Sequence, residues 1–186
     1  MSSPIKKLLD LIADNEPIIV PTDTVYGLVC QYDSRIAVEK IYRLKKRTRK
    51  KPLILLGYNW KSLKQFVRLQ DISHSALRTL QSYWPGPLTI VLPASKSVPK
   101  FLNKGFKTIG VRVPNNKLLL KLLKHSPGQV LASTSANVSG KSDRIPQKEL
   151  LEKVKLFVKA TKGEMLFKPS KVVEIKKNKI MVLRSR

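Results

Sequence analysis

Five short runs of Ile, Val and Leu recur along the chain: PIIV (17–20), LILL (53–56), LTIVL (88–92), IGVRV (109–113) and QVLAS (129–133). Each has strand length and is bounded by Pro, Gly, Asn or Ser. Between them lie segments with apolar residues at helical spacing. Ser3 can cap a first helix with Pro4 at its first position, and Ile5, Leu8, Leu9 and Ile12 form its stripe, ending at Asn15. PIIV is interrupted at Pro21 and resumes near VYGLV. Asp33 and Ser34 can cap a second helix that runs to about Lys46, with Ile36, Ile41 and Leu44 inward. Asn59 caps a third helix through about Arg68, and a fourth runs from about Ser73 to Trp84, stopped by Pro85. Residues 116–125 read as a Leu/Lys helix, about 147–160 as a last amphipathic helix, and VVEIKKNKIMVLR as two strands around a Lys-Asn turn. The alternation predicts an α/β fold. One domain over residues 1–186 is expected, with a twisted mixed sheet and helices packed around it.

Charge narrows the partners. Lys and Arg number 37 against 12 Asp and Glu, a formal net charge of +25. Such a field attracts polyanions and works against the compact state by self-repulsion. Nucleic acid, a nucleotide or an acidic surface is expected. Cys30 is the only cysteine, so neither a disulfide within the chain nor a cysteine-built zinc site is expected. His74 and His125 are the only histidines and lie far apart, so no metal centre is expected. Asp10 and Asp14 inside the apolar N-terminal stretch argue against a secretory leader. No apolar run approaches the roughly 20 residues of a spanning helix. A cytoplasmic protein without membrane contact is the expectation.

Four stretches could carry chemistry. There is no GxxxxGK[ST], no GxGxxG after a strand and no GxSxG elbow, so phosphates would have to be held by side-chain cations and strand-end hydroxyls. The first stretch is PTDTVYGL (21–28), where Pro21 breaks the ladder and Thr22, Asp23 and Thr24 follow, with Gly27 allowing close approach. A plain turn capped by Thr and Asp is the alternative. The second is LKKRTRKKPL (44–53); from Arg43 to Lys51, seven of nine residues are basic. Cations at a helix end also oppose its dipole, so a solvated terminus is the alternative, although Pro52-Leu53 tethers the run to a strand. The third, WPGPLTIVLP (84–93), reads as structural, with Trp84 in the core or a pocket wall. The fourth, STSANVSG (133–140), offers small hydroxyls and an amide where a strand ends, able to hold phosphate or ribose. Among single residues, Arg112 inside IGVRV must find an anionic partner or reach a pocket, and ligand contact is favoured over a structural ion pair. Cys30 packs in the core, His74 sits at a helix start, and His125 answers a helix dipole.

Taken in order, PTDTVYGL, LKKRTRKKPL, WPGPLTIVLP, GVRVP and STSANVSG resemble the YrdC-like family of threonylcarbamoyl-adenylate synthases, from about residue 5 to the C-terminus. The resemblance implies a twisted α/β sheet with a basic concave face. It implies synthesis of threonylcarbamoyl-AMP from L-threonine, bicarbonate and ATP with loss of pyrophosphate. That product serves threonylcarbamoylation of adenosine 37 in tRNAs reading codons that start with A. The family's KxR pair falls on Lys45 and Arg47 and its SxN pair on Ser135 and Asn137. The resemblance further points to Thr24, Arg112 and Ser170 for threonine, and to Lys51, Thr134 and Arg184 beside the nucleotide. Thr48 stands where the family often has Pro, Lys51 where it often has Asn, and Ser185-Arg186 where x-Gly is usual. Magnesium would accompany ATP, tRNA or double-stranded RNA would lie nearby, and a transferase complex would take the product.

The chemistry asks for cations and no protein nucleophile. An anionic carbamate must attack the α-phosphorus of a polyanion, so positive groups aimed at the phosphates lower the transition state and positioning supplies much of the rate. The alternative is a non-catalytic binder of tRNA, rRNA or double-stranded RNA. The charge supports it; aromatics at 6%, with none interleaved in the basic run, count against it. A carbamoyl-transfer relative of hydrogenase-maturation proteins is a third reading, weakened because no acylphosphatase or zinc-finger segment is seen.

Overall fold

The computed structural model describes residues 3–48, 51–70, 72–103, 105–137, 145–176 and 179–185. Arg49, Lys50, residues 138–140 of the STSANVSG stretch, the Lys177–Asn178 turn, Arg186 and the Ser3 side chain proposed as a cap lie outside the described residues.

The elements run α1 (Ser3–Ala13), β1 (Ile18–Val20), β2 (Gly27–Gln31), α2 (Arg35–Leu44), β3 (Ile54–Gly57), α3 (Trp60–Lys64), α4 (His74–Gln81), β4 (Leu88–Pro93), α5 (Lys100–Asn103), β5 (Thr108–Arg112), α6 (Lys117–His125), β6 (Val130–Ser135), α7 (Lys148–Leu151), β7 (Lys171–Lys176) and β8 (Lys179–Arg184). The strands make one open sheet in the order β1-β2-β6-β3-β5-β4-β7-β8. β3/β5 and β4/β7 are parallel and the other pairs antiparallel. This is the mixed α/β sheet expected from the sequence.

Strand periodicity divides the sheet into two unlike faces. On one, Leu28, Cys30, Leu55, Ile90, Leu92, Ile109, Val111, Val130, Ala132, Val173 and Ile175 form a continuous core with Ala37, Val38, Ile41 and Tyr42 of α2, Leu63 of α3, Leu77 and Leu80 of α4 and Leu102 of α5. On the other, α1 and α6 are the helices that cover the sheet among the described residues. Ile5, Leu8, Ile12, Leu119, Leu122 and Leu123 pack on Ile18, Val20, Val29, Leu56 and Leu131 at the β1 end. The rest of that face is left for a cavity.

Several predicted boundaries move, each for a physical reason. Ile36 is exposed, not inward. The buried stripe of α2 is Ala37, Val38, Ile41 and Tyr42, and Ile36 lies one step off it. The third helix stops at Lys64 because residues 66–68 are recruited to the end of β4: Arg68 N–H bonds Pro93 O, Ser95 N–H bonds Phe66 O, and Val67 bridges Ala94. The fourth stops at Gln81, short of the backbone clash that precedes a proline. The last helix shrinks to four residues. Beyond it, residues 153–156 alternate Lys-Val-Lys-Leu, a period of two, before the apolar run Leu156-Phe157-Val158. Residues 156–158 lie along β1, with Ile19 N–H on Leu156 O and Val158 N–H on Ile19 O. β6 also extends into the STSA stretch, so Ser133, Thr134 and Ser135 are strand residues.

Candidate active site

α2 ends where the basic run begins, and the way it ends aims the cations. Lys45 is the C-cap, Lys46 follows with φ 49°, and the N–H groups of Lys46 and Arg47 bond the carbonyls of Arg43 and Tyr42. This is the paired bonding of a Schellman close, with Lys in the left-handed position that glycine usually takes. It sends the side chains of Lys45 and Arg47 in different directions. Lys45 falls four residues after Ile41 and continues the buried stripe, so it is only 1% exposed. Its ammonium donates to Asn137 Oδ1 at 2.8 Å, to the Asn137 carbonyl at 2.5 Å and to the Ser135 carbonyl. Ser135 Oγ donates to the same Asn137 Oδ1 at 2.6 Å. The cationic stretch and the hydroxyl-amide stretch, some ninety residues apart, therefore meet side chain to side chain. Arg47 turns back on the chain instead, donating from Nε to Lys51 O (2.9 Å) and from Nη2 to Pro52 O (3.1 Å). Burial holds its guanidinium below the usual arginine range. Lys51 itself is exposed, and its carbonyl also accepts from Tyr42 Oη at 3.0 Å.

Beside this junction the uncovered sheet face forms a cavity of about 350 Å³, within the range of small-molecule sites of roughly 300–1,000 Å³. Alternate residues of adjacent strands make its floor: Ile54 and Leu56 of β3, Gly110 and Arg112 of β5, Thr89 and Val91 of β4. Gly110 matters here, because a Cβ would lie 2.9 Å from Ile54 Cγ2 and 3.3 Å from Thr89 Cγ2, crowding the floor. Of the residues singled out from sequence, Thr24, Arg47, Arg112, Thr134, Ser135, Ser170 and Arg184 line the cavity. Lys45 and Asn137 are buried and bonded to its Ser135 rim. Lys51 is not among the lining residues.

Two polar chains flank the floor. In the first, Arg112 donates from Nη2 to Asp23 Oδ1 (2.5 Å), from Nη1 to Thr24 Oγ1 (2.9 Å) and from Nε to Gly86 O (3.0 Å). Thr24 Oγ1 in turn meets Thr22 Oγ1 at 2.9 Å. Arg112 thus makes the structural ion pair that the sequence reading ranked below ligand contact, while it also lines the cavity. Gly86 can present its carbonyl because a Cβ there would sit 2.3 Å from Tyr83 O. In the second chain, Thr89 Oγ1 and Ser170 Oγ are 2.9 Å apart, and Arg184 donates to Ser170 O from Nε (3.1 Å) and Nη2 (2.9 Å). Trp84 packs against the core and its Nε1–H bonds Leu88 O at 2.6 Å.

Thr22 and Asp23 belong to the PTDTVYGL stretch named from sequence, and both enter the Arg112 chain; Thr89 was not singled out. Thr89 had a readable sign: in LTIVL, residues 89 and 91 alternate with the apolar core set, and in TIGVR residues 108, 110 and 112 do the same. Polar or small residues at every second position of interior strands mark a face that something other than the core occupies.

The model of the Sua5/YciO/YrdC family, described as "Telomere recombination", matches residues 10–185. The threonylcarbamoyl-AMP synthase of Enterobacter sp. (strain 638) is 37% identical over 136 residues, covering 73% of this chain and 71% of that protein. Among solved structures, P. abyssi Sua5 complexed with L-threonine superposes with a TM-score of 0.83 at 30% identity, covering 97% of this chain and 53% of that one. E. coli YciO superposes with a TM-score of 0.83 at 27% identity, covering 98% and 88%. The chain spans about half the length of the Sua5 structures it matches.

Proposed function

The chain belongs to the Sua5/YciO/YrdC family, and from that premise we propose that it makes threonylcarbamoyl-AMP from L-threonine, bicarbonate and ATP, releasing pyrophosphate, for threonylcarbamoylation of adenosine 37 in tRNAs reading codons that start with A. The observation that supports this most is the junction of Lys45 and Asn137, 2.8 Å apart, at the rim of a cavity lined by Arg47, Thr134 and Ser135.

The steps follow from charge. Threonine's ammonium gives up a proton, and its amine condenses with bicarbonate to a carbamate and water. A carbamate oxygen then attacks the α-phosphorus while the bond to pyrophosphate breaks. In this reading Lys45 and Arg47 balance the carbamate and triphosphate charge as it develops, and Lys51 adds a cation outside the cavity. A triphosphate competes with the Ser135 and Asn137 oxygens for the Lys45 ammonium. Thr134, Ser135 and Asn137 orient the nucleotide phosphates, with Arg184 beside them. Thr24, Arg112 and Ser170 hold threonine, Arg112 acting as a carboxylate clamp. Because two of the species hydrolyse readily, the chemistry calls for a walled site. Magnesium would accompany ATP, bound mainly by its phosphate oxygens rather than by a protein cage.

The +25 charge keeps tRNA or double-stranded RNA near, and a transferase complex takes the product. A cytoplasmic site of action fits this substrate set, and no helix among the described residues is long and apolar enough to cross a membrane. The test is pyrophosphate release from ATP, threonine and bicarbonate, with threonine omitted as the control. Threonine-dependent release is expected. RNA binding that falls steeply with salt, without any pyrophosphate, would replace the enzyme with a binding protein.

A further inference from the structure

The two edges of the sheet are finished differently. β1 is three residues long, wholly buried, and covered along its outer side by residues 156–158. β8 is twice that length, and every one of its residues is exposed. Ile180, Met181, Val182 and Leu183 stand 44%, 44%, 52% and 52% exposed. Among the described residues β8 pairs only with β7. Four consecutive apolar residues on a long unprotected edge are a template for strand addition, which soluble proteins otherwise blunt with inward charges, prolines or covering loops.

We propose that β8 is the docking edge for a partner protein that adds an acidic extended strand to the sheet. The chemistry of the edge selects that occupant. Lys179 stands at the head of the apolar run, and Lys171 and Lys176 bracket β7 beside it, while Arg184 is held by Ser170. A second copy fits poorly, because two molecules of +25 would have to meet edge to edge. An RNA strand offers no use for exposed Ile, Met, Val and Leu. An extended strand with apolar residues along its middle and acidic residues toward its ends satisfies the open backbone, the apolar side chains and the lysines together. Position gives the edge a purpose that rests on the proposed synthase reaction. Leu183 and Arg184 line the cavity, so a strand one spacing away, about 4.8 Å, stands at the wall from which a hydrolysable acyl adenylate must leave.

The experiment measures hydrogen–deuterium exchange along the intact chain with a synthetic peptide of four Val flanked at each end by Glu, and with its Lys-for-Glu counterpart. The acidic peptide should slow exchange in β8 by about tenfold at ten times its Kd, and the basic peptide should leave β8 unchanged. Val182→Lys should abolish the protection, with Met181→Lys as the substitute should that variant fail to fold. Pyrophosphate release by Val182→Lys, measured in parallel, should match the parent, because Val182 is not among the residues lining the cavity; its loss from every form of the protein would strike the enzyme reading and leave the docking result standing. No protection by the acidic peptide, or equal protection by both, overturns the proposal. So does protection of β8 by an RNA oligonucleotide, or by raising protein concentration alone.

Discussion

Arg47 faces the cavity while bonded to two carbonyls of its own chain, at Lys51 and Pro52. In the proposed reaction Arg47→Ala should lower turnover by about 10²-fold or more, the usual scale for losing one transition-state stabiliser. Unchanged turnover, with a melting curve showing an intact fold, would remove Arg47 from the chemistry. Cys30 gives a check on the core instead. It is fully buried in β2, and burial pushes its thiol far above the usual range. Iodoacetamide should leave the native protein unmodified and label it only in denaturant; labelling at the rate of a free thiol would contradict that burial. Single residues were legible where chemistry made a demand. An arginine within an apolar strand needs an anion, and Arg112 has one. Which anion it takes was not legible, since Asp23 lies 89 residues away. The burial of Lys45 was readable in principle from its place four residues after Ile41 on the inward stripe.

At the scale of elements, the close of α2 is built against local preference. Lys46 holds φ 49° with a Cβ attached, which costs an L-residue roughly 1 kcal/mol relative to glycine. Its ammonium bonds Glu149 at 2.9 Å, a solvent-facing pair of small weight. Lys46→Gly should therefore be more stable than Lys46→Ala by about 1 kcal/mol in urea unfolding, because both lose the ion pair and only glycine relieves the backbone. Equal stabilities would mean the close relaxes when the side chain is cut. The helices that sequence reading sized well, α1 and α6, have long apolar stripes, and α6 has an Asn116 cap that accepts from Leu119 N–H. Those it oversized, 59–68 and 147–160, end where the backbone is claimed by a strand elsewhere, β4 in one case and β1 in the other. Local pattern cannot see a partner some twenty-five or a hundred and forty residues distant, although alternation over 153–156 was a local warning.

The whole molecule carries +25 with few acidic groups to offset it, so added salt should stabilise it. Its thermal midpoint should rise between about 0.01 and 0.5 M NaCl, as the screening length shortens and self-repulsion fades. A falling midpoint would mean that local clusters such as Glu16 with Lys40 and Lys155 outweigh the overall field. The layered α/β plan was legible because strand and helix periods differ; strand order was not, because nothing local tells β6 to enter between β2 and β3. The unequal dressing of the sheet has a mechanical outcome. The floor strands are gripped from behind by α2 through α5, and on the cavity side Leu56 and Ile54 also pack on the α1/α6 cluster, whereas Val91 belongs to neither core. The hollow can therefore be reshaped at Val91 as a tray is refitted on a fixed frame, with the backbone beneath staying where it is.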